Sequence, residues 1–457
     1  MDPGGQDVAG LMDVPALTRS LAAEGVSAIT VCADDVDRYG RAAAFAPGVQ
    51  VRPREDVVEV QEELRRHPGV SVLVYDQRCA AEARRLRKRG ELDDPPRRVV
   101  INQAVCEGCG DCSRISNCLS VLPVDTEFGE RREIHQSSCN KDYSCLEGDC
   151  PSFLTLVPAT GARARGRTSG TAAPSRPEMP TGDLPAPPLA PIDGRYSVYT
   201  TGIGGTGIVT ANRLLAHAAL ASGFSVQGVD QTGLSQKAGA VVSHLHIART
   251  DAAITTATVP DGGADLYLSG DLLQAAAATH LRKVRPGRTW AVVDADLVPT
   301  AAMLQGTPGV DDDRLTGAVR DAVGADRSLV ADTTGLAERV FGSHLAANVV
   351  LLGAACQMGA LPVGPQAVEG AITTEGPAAA TNITAFRWGR WLVADPDAVG
   401  AALDRTGAGG RGHRGQADIW DPTDRAVATA ERLVARRSVP ADVGTLVVRR
   451  SARRLPW

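Results

Sequence analysis

Aromatic residues are scarce in this chain, with six Phe, six Tyr and five Trp among 457 residues. That is too few for the stacking platforms that hold single-stranded nucleic acids. Basic charge is equally short. The formal net charge of -5 leaves no positive footprint for a phosphate backbone, so no nucleic-acid partner is expected. No apolar run is both long and unbroken. The most apolar stretch, 345–363, is interrupted by Asn348, Gln357 and Pro362 and reads as a buried helix, not as a membrane span. The opening Met1-Asp2-Pro3-Gly4-Gly5 has neither the positive flank nor the apolar core of a secretory signal. A soluble, cytoplasmic protein with no membrane association is therefore expected. There is no internal repeat.

What is present is ample apolar material, 43% of residues against 22% charged, enough for two or three packed domains. Periodicity predicts α/β architecture in two places. In the first hundred residues, helical patterns at 14–24 and 56–66 alternate with strand-like runs at 27–32, 49–51 and 70–75. Such a parallel sheet is narrow for covering both faces, which points to a partner or a missing half. Residues 159–193 then carry seven prolines and the arginines Arg163, Arg165, Arg167 and Arg176, the composition of an extended linker. Beyond it, strands at 196–200, 225–230, 266–269, 290–294 and 329–331, with a helix at 208–221, predict a doubly wound α/β domain over 194–400. Residues 401–457 read as a loose tail with one helix at 425–436.

Ten cysteines in a chain of this size, seven of them between Cys106 and Cys150, indicate metal rather than disulfides. Cys106-Glu107-Gly108-Cys109-Gly110-Asp111-Cys112 is a C-x2-C-x2-C run, and Cys150-Pro151 supplies the closing C-P step of bacterial ferredoxin motifs. A cubane cluster takes one thiolate per iron. Three cysteines spaced by three wrap one face of it, small residues between them admit backbone amides, and a distant fourth completes the site. A [4Fe-4S] cluster on Cys106, Cys109, Cys112 and Cys150 is thus expected in an iron-sulfur module over 99–158, with structural zinc the blander alternative. Cys118, Cys139 and Cys145 depart from the two-cluster pattern. They are candidates for a second cluster, which would need a further ligand such as His135 or Asp142, or they are ordinary buried cysteines. Cys32, Cys79 and Cys356 sit in apolar or helical contexts and read as packing residues. His244 and His246 alternate on a strand, as packing or hydrogen-bonded groups. The run Arg84-Arg85-Leu86-Arg87-Lys88-Arg89 is either a solvated helix end or a patch that steers an acidic electron carrier.

Gly202-Ile203-Gly204-Gly205-Thr206-Gly207 follows a strand, opens a helix and precedes Asp230 at the end of the next strand. Alone, this is a dinucleotide fingerprint, and an NAD(P)-dependent iron-sulfur reductase or electron-transfer subunit is the corresponding reading. Its wider setting differs. Tyr199 to Gly207, followed by Val229-Asp230-Gln231-Thr232-Gly233-Leu234-Ser235-Gln236-Lys237-Ala238-Gly239, resembles the gamma-type domain of 2-oxoacid:ferredoxin oxidoreductases, in particular the large fused indolepyruvate ferredoxin oxidoreductases. The resemblance runs upstream through Val74-Tyr75-Asp76-Gln77-Arg78-Cys79-Ala80, Arg97-Arg98-Val99-Val100-Ile101-Asn102 and Ser137-Ser138-Cys139-Asn140-Lys141-Asp142-Tyr143-Ser144-Cys145. It runs downstream through Asn348 to Gln357.

This resemblance implies an oxidoreductase that decarboxylates an aryl 2-oxoacid with thiamine diphosphate and Mg, passes electrons through iron-sulfur clusters to ferredoxin, and hands the acyl group to coenzyme A. It identifies residues 1–98 as the C-terminal part of a thiamine-binding α/β domain, since no Gly-Asp-Gly stretch with a downstream Asn precedes the cysteines. A chain carrying the thiamine-binding half is then the expected partner, in an oligomer. Gly202, Gly204, Gly205, Gly207, Gln236 and Lys237 are the candidate cofactor-binding residues of the gamma-type domain. No catalytic residue is assigned.

Overall fold

The structure, a computed structural model, describes residues 12–40, 43–136, 138–148, 150–157, 176–204, 207–232, 239–300, 303, 310–374, 376 and 378–405. The expected helix at 425–436 lies outside the described residues. The chain divides into two compact units, Met1–Pro95 with Asn140–Asp142, and Pro96–Cys139 with Tyr143–Trp457.

The first unit is a three-stranded parallel sheet. Strands β1 (Ala28–Ala33), β2 (Gln50–Pro53) and β3 (Ser71–Asp76) lie in the order β2-β1-β3. The central Val31 pairs with Val51 on one side and Val74 on the other. Helix α1 (Val14–Ala23) starts where the Asp13 carboxylate accepts the Ala16 N–H at 2.7 Å, a capping geometry that satisfies an otherwise orphaned donor. Helix α2 (Val57–Arg65) is clamped to β2 by Arg52, which pairs with Asp56, Glu59 and Glu63 at 3.0, 2.8 and 3.1 Å. Helix α3 (Ala80–Arg89) follows β3 and ends at left-handed Gly90. Strand β1 is buried from Ile29 to Ala33, as a strand covered on both faces must be. The cover is incomplete, because Val58, Val70 and Tyr75 stay 68, 63 and 48% exposed.

The second unit opens with a small four-stranded module. Strands β4 (Arg98–Ile101) and β7 (Phe153–Leu156) pair antiparallel, as do β5 (Val121–Thr126) and β6 (Gly129–Ile134), and helix α4 (Asp111–Ser116) follows β4. The rest is an α/β domain on a six-stranded sheet. Its strands are β8 (Arg195–Ile203), β9 (Ser225–Thr232), β10 (Ala240–Ala248), β11 (Leu266–Ser269), β12 (Trp290–Asp294) and β13 (Ser328–Ala331), in the order β13-β12-β11-β8-β10-β9. The ladders from β8 to β13 are parallel, whereas β10 runs antiparallel to both β8 and β9.

Helices cover both faces, and alternation along the strands shows it. Val198, Leu266, Leu268 and Val292 enter one core with helices α5 (Ile208–Ala221), α9 (Thr333–Phe341), α10 (Ala347–Gln357), α11 (Pro365–Thr373) and α12 (Ala379–Ala394). Tyr199, Tyr267, Ala291 and Val293 enter the other, with the short α6 (Leu272–Ala275) and with α8 (Asp312–Val323); the one-turn α7 (Ala278–Leu281) lies between these two helices in the chain. Helices α10 and α12 approach unusually closely through glycine: a Cβ at Gly353 would stand 2.0 Å from the Phe386 carbonyl oxygen, and one at Gly389 1.9 Å from that of Val350. The last helix, α13 (Pro396–Asp404), is capped by Asp395.

The expected linker 159–193 needs correction in its second half. From Arg176 on it carries no helix or strand, but it is packed along the domain as a strap. Met179, Leu184 and Ile192 join the core, Ala190 donates its N–H to Leu361 O at 2.8 Å, and the Pro185 carbonyl accepts from Gln357 and Arg390.

His244 and His246 are buried on β10. The Nδ1 of His244 accepts the Val259 N–H at 2.9 Å, and His246 Nδ1 meets Ser197 Oγ at 3.0 Å. Burial, helped by the charge of Lys283, drives the His244 pKa down to about 4. The folded state therefore binds a proton less readily than the unfolded chain, with its ordinary value of ~6.5. This contribution is complete above pH 6.5 and is lost as pH falls from about 6.5 towards 4. We expect His244→Asn, which keeps an acceptor for Val259, to remove about 2 kcal/mol of the stability difference between pH 7 and pH 5. Denaturant unfolding at the two pH values checks this; an unchanged difference would refute it.

Candidate functional site

Of the seven cysteines of the module, four lie in one small apolar cluster, and of the expected quartet only Cys112 is among them. Cys112, Cys118, Cys139 and Cys145 share one small cluster with Val99, Val121 and Ile134, while Cys106 and Cys150 are half-buried and Cys109 is exposed. The backbone of the C-x2-C-x2-C loop is set by Gly108 and Gly110, both left-handed at φ of 73° and 78°. Gly108 donates its N–H to Cys106 Sγ at 3.4 Å, and a Cβ there would lie 2.3 Å from the Glu130 carbonyl oxygen on β6. Only glycine fits that turn and that approach. Burial pushes the Cys112 thiol up.

Thiols spaced by three, with a backbone amide on one sulfur, are of the chemistry that an iron-sulfur cluster would accept. Among the described residues, no three or more His, Cys, Asp or Glu side chains converge as ligands of a single metal ion. Thiolates of a cubane attach to different irons, so they need not converge in this way.

His135 is engaged on both ring nitrogens. Its Nδ1 meets Ser138 Oγ at 2.9 Å and its Nε2 meets Glu338 Oε1, on α9, at 2.7 Å. Ser138 passes the chain of hydrogen bonds to Ser120 at 3.0 Å. The ring suggested as an extra cluster ligand is thus a bridge between the module and the α/β domain. Asp142 is exposed. Of the cysteines read as packing residues, Cys32 and Cys356 are buried, while Cys79 is only half-buried, at the start of α3.

In the α/β domain the glycine loop lies at the carboxyl end of β8, where the chain moves to one side through α5 and later to the other through β11. Such switch points are where open α/β sheets bind ligands. Gly204 donates its N–H to Gly239 O at 2.8 Å, and Gly207, at φ 99°, opens α5 without a side-chain cap. Gly205, Gln236 and Lys237 lie outside the described residues. Sequence reasoning missed the matching edge across the crevice: Gly270 at the end of β11 donates to Thr201 O at 3.1 Å and abuts Asn348, which is buried at the start of α10. Next to it the buried Asp271 carboxylate accepts from Gln274 N and Val298 N, both at 2.7 Å. The signal was a second strand ending in Gly, Ser269-Gly270-Asp271.

The sheet order bears directly on the dinucleotide reading. That reading needs Asp230 at the tip of the strand next to the glycine strand. Here β10 lies between, and Asp230 accepts from Ser243 of β10 at 2.5 Å. Its strand therefore stands two spacings from β8, about 10 Å instead of 5 Å.

A mixed sheet of this kind, with glycines at its switch point, lies in the same compact unit as a cysteine module. Residues 197–391 match the sequence family described as pyruvate ferredoxin/flavodoxin oxidoreductase. More particularly, the chain is similar to the indolepyruvate oxidoreductase subunit IorB of Archaeoglobus fulgidus, with 27% identity over 198 residues, 43% of this chain and 94% of that protein. It is likewise similar to IorB of Pyrococcus horikoshii, with 29% identity over 188 residues, 41% of this chain and 90% of that protein. Among solved structures, the keto/oxoacid ferredoxin oxidoreductase gamma subunit of Geobacter sulfurreducens matches with a TM-score of 0.31 and 19% identity, covering 43% of this chain and 98% of that one.

Two outcomes are expected. NADH titration should give no saturable binding at micromolar concentration; saturable binding abolished by Gly204→Val would restore the dinucleotide reading. A double-mutant cycle with His135→Ala and Glu338→Ala should give a coupling of about 1 kcal/mol in thermal or denaturant unfolding, the range for residues in one hydrogen-bond network. Additive single effects would mean that the bridge carries no energy.

Proposed function

We propose that this chain is one part of an indolepyruvate-type 2-oxoacid:ferredoxin oxidoreductase. Cys106, Cys109, Cys112 and Cys150 hold a [4Fe-4S] cluster, and Cys118, Cys139 and Cys145 are the candidates for a second. The observation that carries the reading is a module of seven cysteines in the same compact unit as a domain of this oxidoreductase family, joined to it through His135 and Glu338. Thiamine diphosphate and iron-sulfur clusters supply, respectively, the electron sink for decarboxylation of an aryl 2-oxoacid and one-electron steps towards ferredoxin. This chain's own residues bind and orient: the cysteines fix the relay, and the crevice of Gly202, Gly204, Gly207, Gly270 and Asn348 faces the thiamine or coenzyme A side of the complete enzyme, with Gly205, Gln236 and Lys237 as further candidate contacts. Free thiols in such number suit a reducing cytoplasm.

The thiamine diphosphate and Mg site is assigned to a partner chain. Mg is normally bound through a few protein groups plus phosphates, and in this reading those groups come from the partner. The exposed Val58, Val70 and Tyr75 around the narrow sheet give such a partner apolar surface to cover.

Anaerobically purified protein should be brown, with iron and acid-labile sulfide in equal amounts, and Cys109→Ala should lose iron while the α/β domain stays folded. Stoichiometric zinc without sulfide would defeat the cluster assignment. Viologen reduction with indolepyruvate, thiamine diphosphate, Mg and coenzyme A should need the partner chain, and turnover by the isolated chain would overturn the division of labour.

A further inference from the structure

The module contains a cation that its own protein atoms do not satisfy. Arg132 on β6 is 3% exposed, yet its Nε and Nη1 have no hydrogen-bond partner among the described residues. Only Nη2 is engaged, with Glu130 Oε1 at 3.1 Å, and that carboxylate is half-exposed. The cross-strand neighbour is Pro123, whose ring offers no acceptor. A guanidinium presents five donors, and leaving it buried with most of them unmet is among the costlier arrangements in a protein. Such a group marks the place of an anion.

The surroundings say which anion. The C-x2-C-x2-C loop is pressed against this strand, because Gly108 approaches the Glu130 carbonyl oxygen so closely that a Cβ there would lie 2.3 Å from it. Cys112, the third cysteine of that loop, is half-buried and packs in the same small cluster as Ile134, two residues on from Arg132 along β6. Among the described residues, no carboxylate other than that of Glu130 is paired with this guanidinium.

We propose that Arg132 is a potential-setting residue: its buried guanidinium donates Nε–H and Nη1–H to the sulfurs of the iron-sulfur cluster held through Cys112, and favours the reduced cluster. This deepens the function proposed above and rests on it. A cubane with four thiolates carries two negative charges when oxidised and three after accepting one electron. A fixed positive charge at hydrogen-bond distance therefore binds the reduced form more strongly, and net charge and hydrogen bonds to sulfur are the levers that set such potentials. Arg132 acts through the cluster and touches no substrate.

The test is a dithionite titration of the whole chain, followed by electron paramagnetic resonance, for wild type, Arg132→Gln and Arg132→Lys. The Gln variant, without the charge, should show about a tenfold smaller reduced-to-oxidised ratio at fixed potential, a shift of about 59 mV downward for one electron. The Lys variant should fall between it and wild type. A second measurement needs no variant to retain its cluster: wild type grown with arginine labelled with nitrogen-15 in the guanidino group should show nitrogen coupling to the reduced cluster in pulsed resonance. Equal potentials in all three proteins with intact iron, or a wild-type cluster without guanidino coupling, overturn the role of Arg132 and leave the cluster standing. A wild-type protein without acid-labile sulfide overturns both.

Discussion

Strand β8 is buried along its length from Tyr196 to Ile203, and the arrangement of the second unit follows from that constraint. A strand in this position must find backbone partners on both edges and apolar cover on both faces. Antiparallel β10 fills one edge and parallel β11 the other. The two faces are closed by separate cores, one on α5 and the helices after residue 333, the other on α6 and α8. The strap before β8 completes the first of these. Tyr196 ties its hydroxyl to Ala360 O at 2.7 Å, and Ala190 reaches Leu361 O. The carboxyl tip of β8 is then the place where the backbone leaves this packing, and Gly207 opens α5 shortly after it.

The same constraint explains why a glycine fingerprint is an incomplete guide to chemistry. Glycines at a strand-to-helix turn meet a steric demand common to many α/β domains. What distinguishes them is the strand placed beside β8. With β10 inserted, Asp230 is spent on Ser243, and the crevice is instead edged by Gly270 and Asn348. Function follows the sheet order more closely than the glycine spacing.

Elements whose apolar period is unambiguous were legible from sequence alone. The helix at 208–221 and the strands at 266–269 and 290–294 coincide with α5, β11 and β12, because local pattern and burial agree there. In the first unit, the expected runs at 27–32, 49–51 and 70–75 meet β1, β2 and β3 within a residue or two. Illegible features depended on pairing across long separations. The position of β10 in the sheet is set by ladders to both β8 and β9, which no local period encodes. The strap looked like a linker because proline-rich chain has the same composition whether it is free or laid on a surface; Pro185 is held from Gln357 and Arg390, well over a hundred residues away. His135 looked like a metal donor because a histidine among cysteines carries that chemistry, but Glu338, 203 residues on, takes its second nitrogen.

That last contact also bears on how the cysteine module and the α/β domain are kept in register. The module has little core of its own: beyond cysteines, its fully buried apolar side chains are Val99, Val121 and Ile134. So small a cluster stabilises a fold weakly, and such modules depend on bound metal and on their neighbours for rigidity. The chain from Ser120 through Ser138 and His135 to Glu338 supplies one such neighbour. It starts beside Cys118, passes within four residues of Cys139, and ends on α9, whose Leu336, Ala337 and Val340 are part of the main domain core. What the tether governs is the separation between the cysteine segment and the α/β domain. A hydrogen-bonded tether from the cysteine segment to a helix anchored in that core fixes it more firmly than the exposed strand β7 could, since Leu154 and Leu156 there remain 39 and 38% exposed.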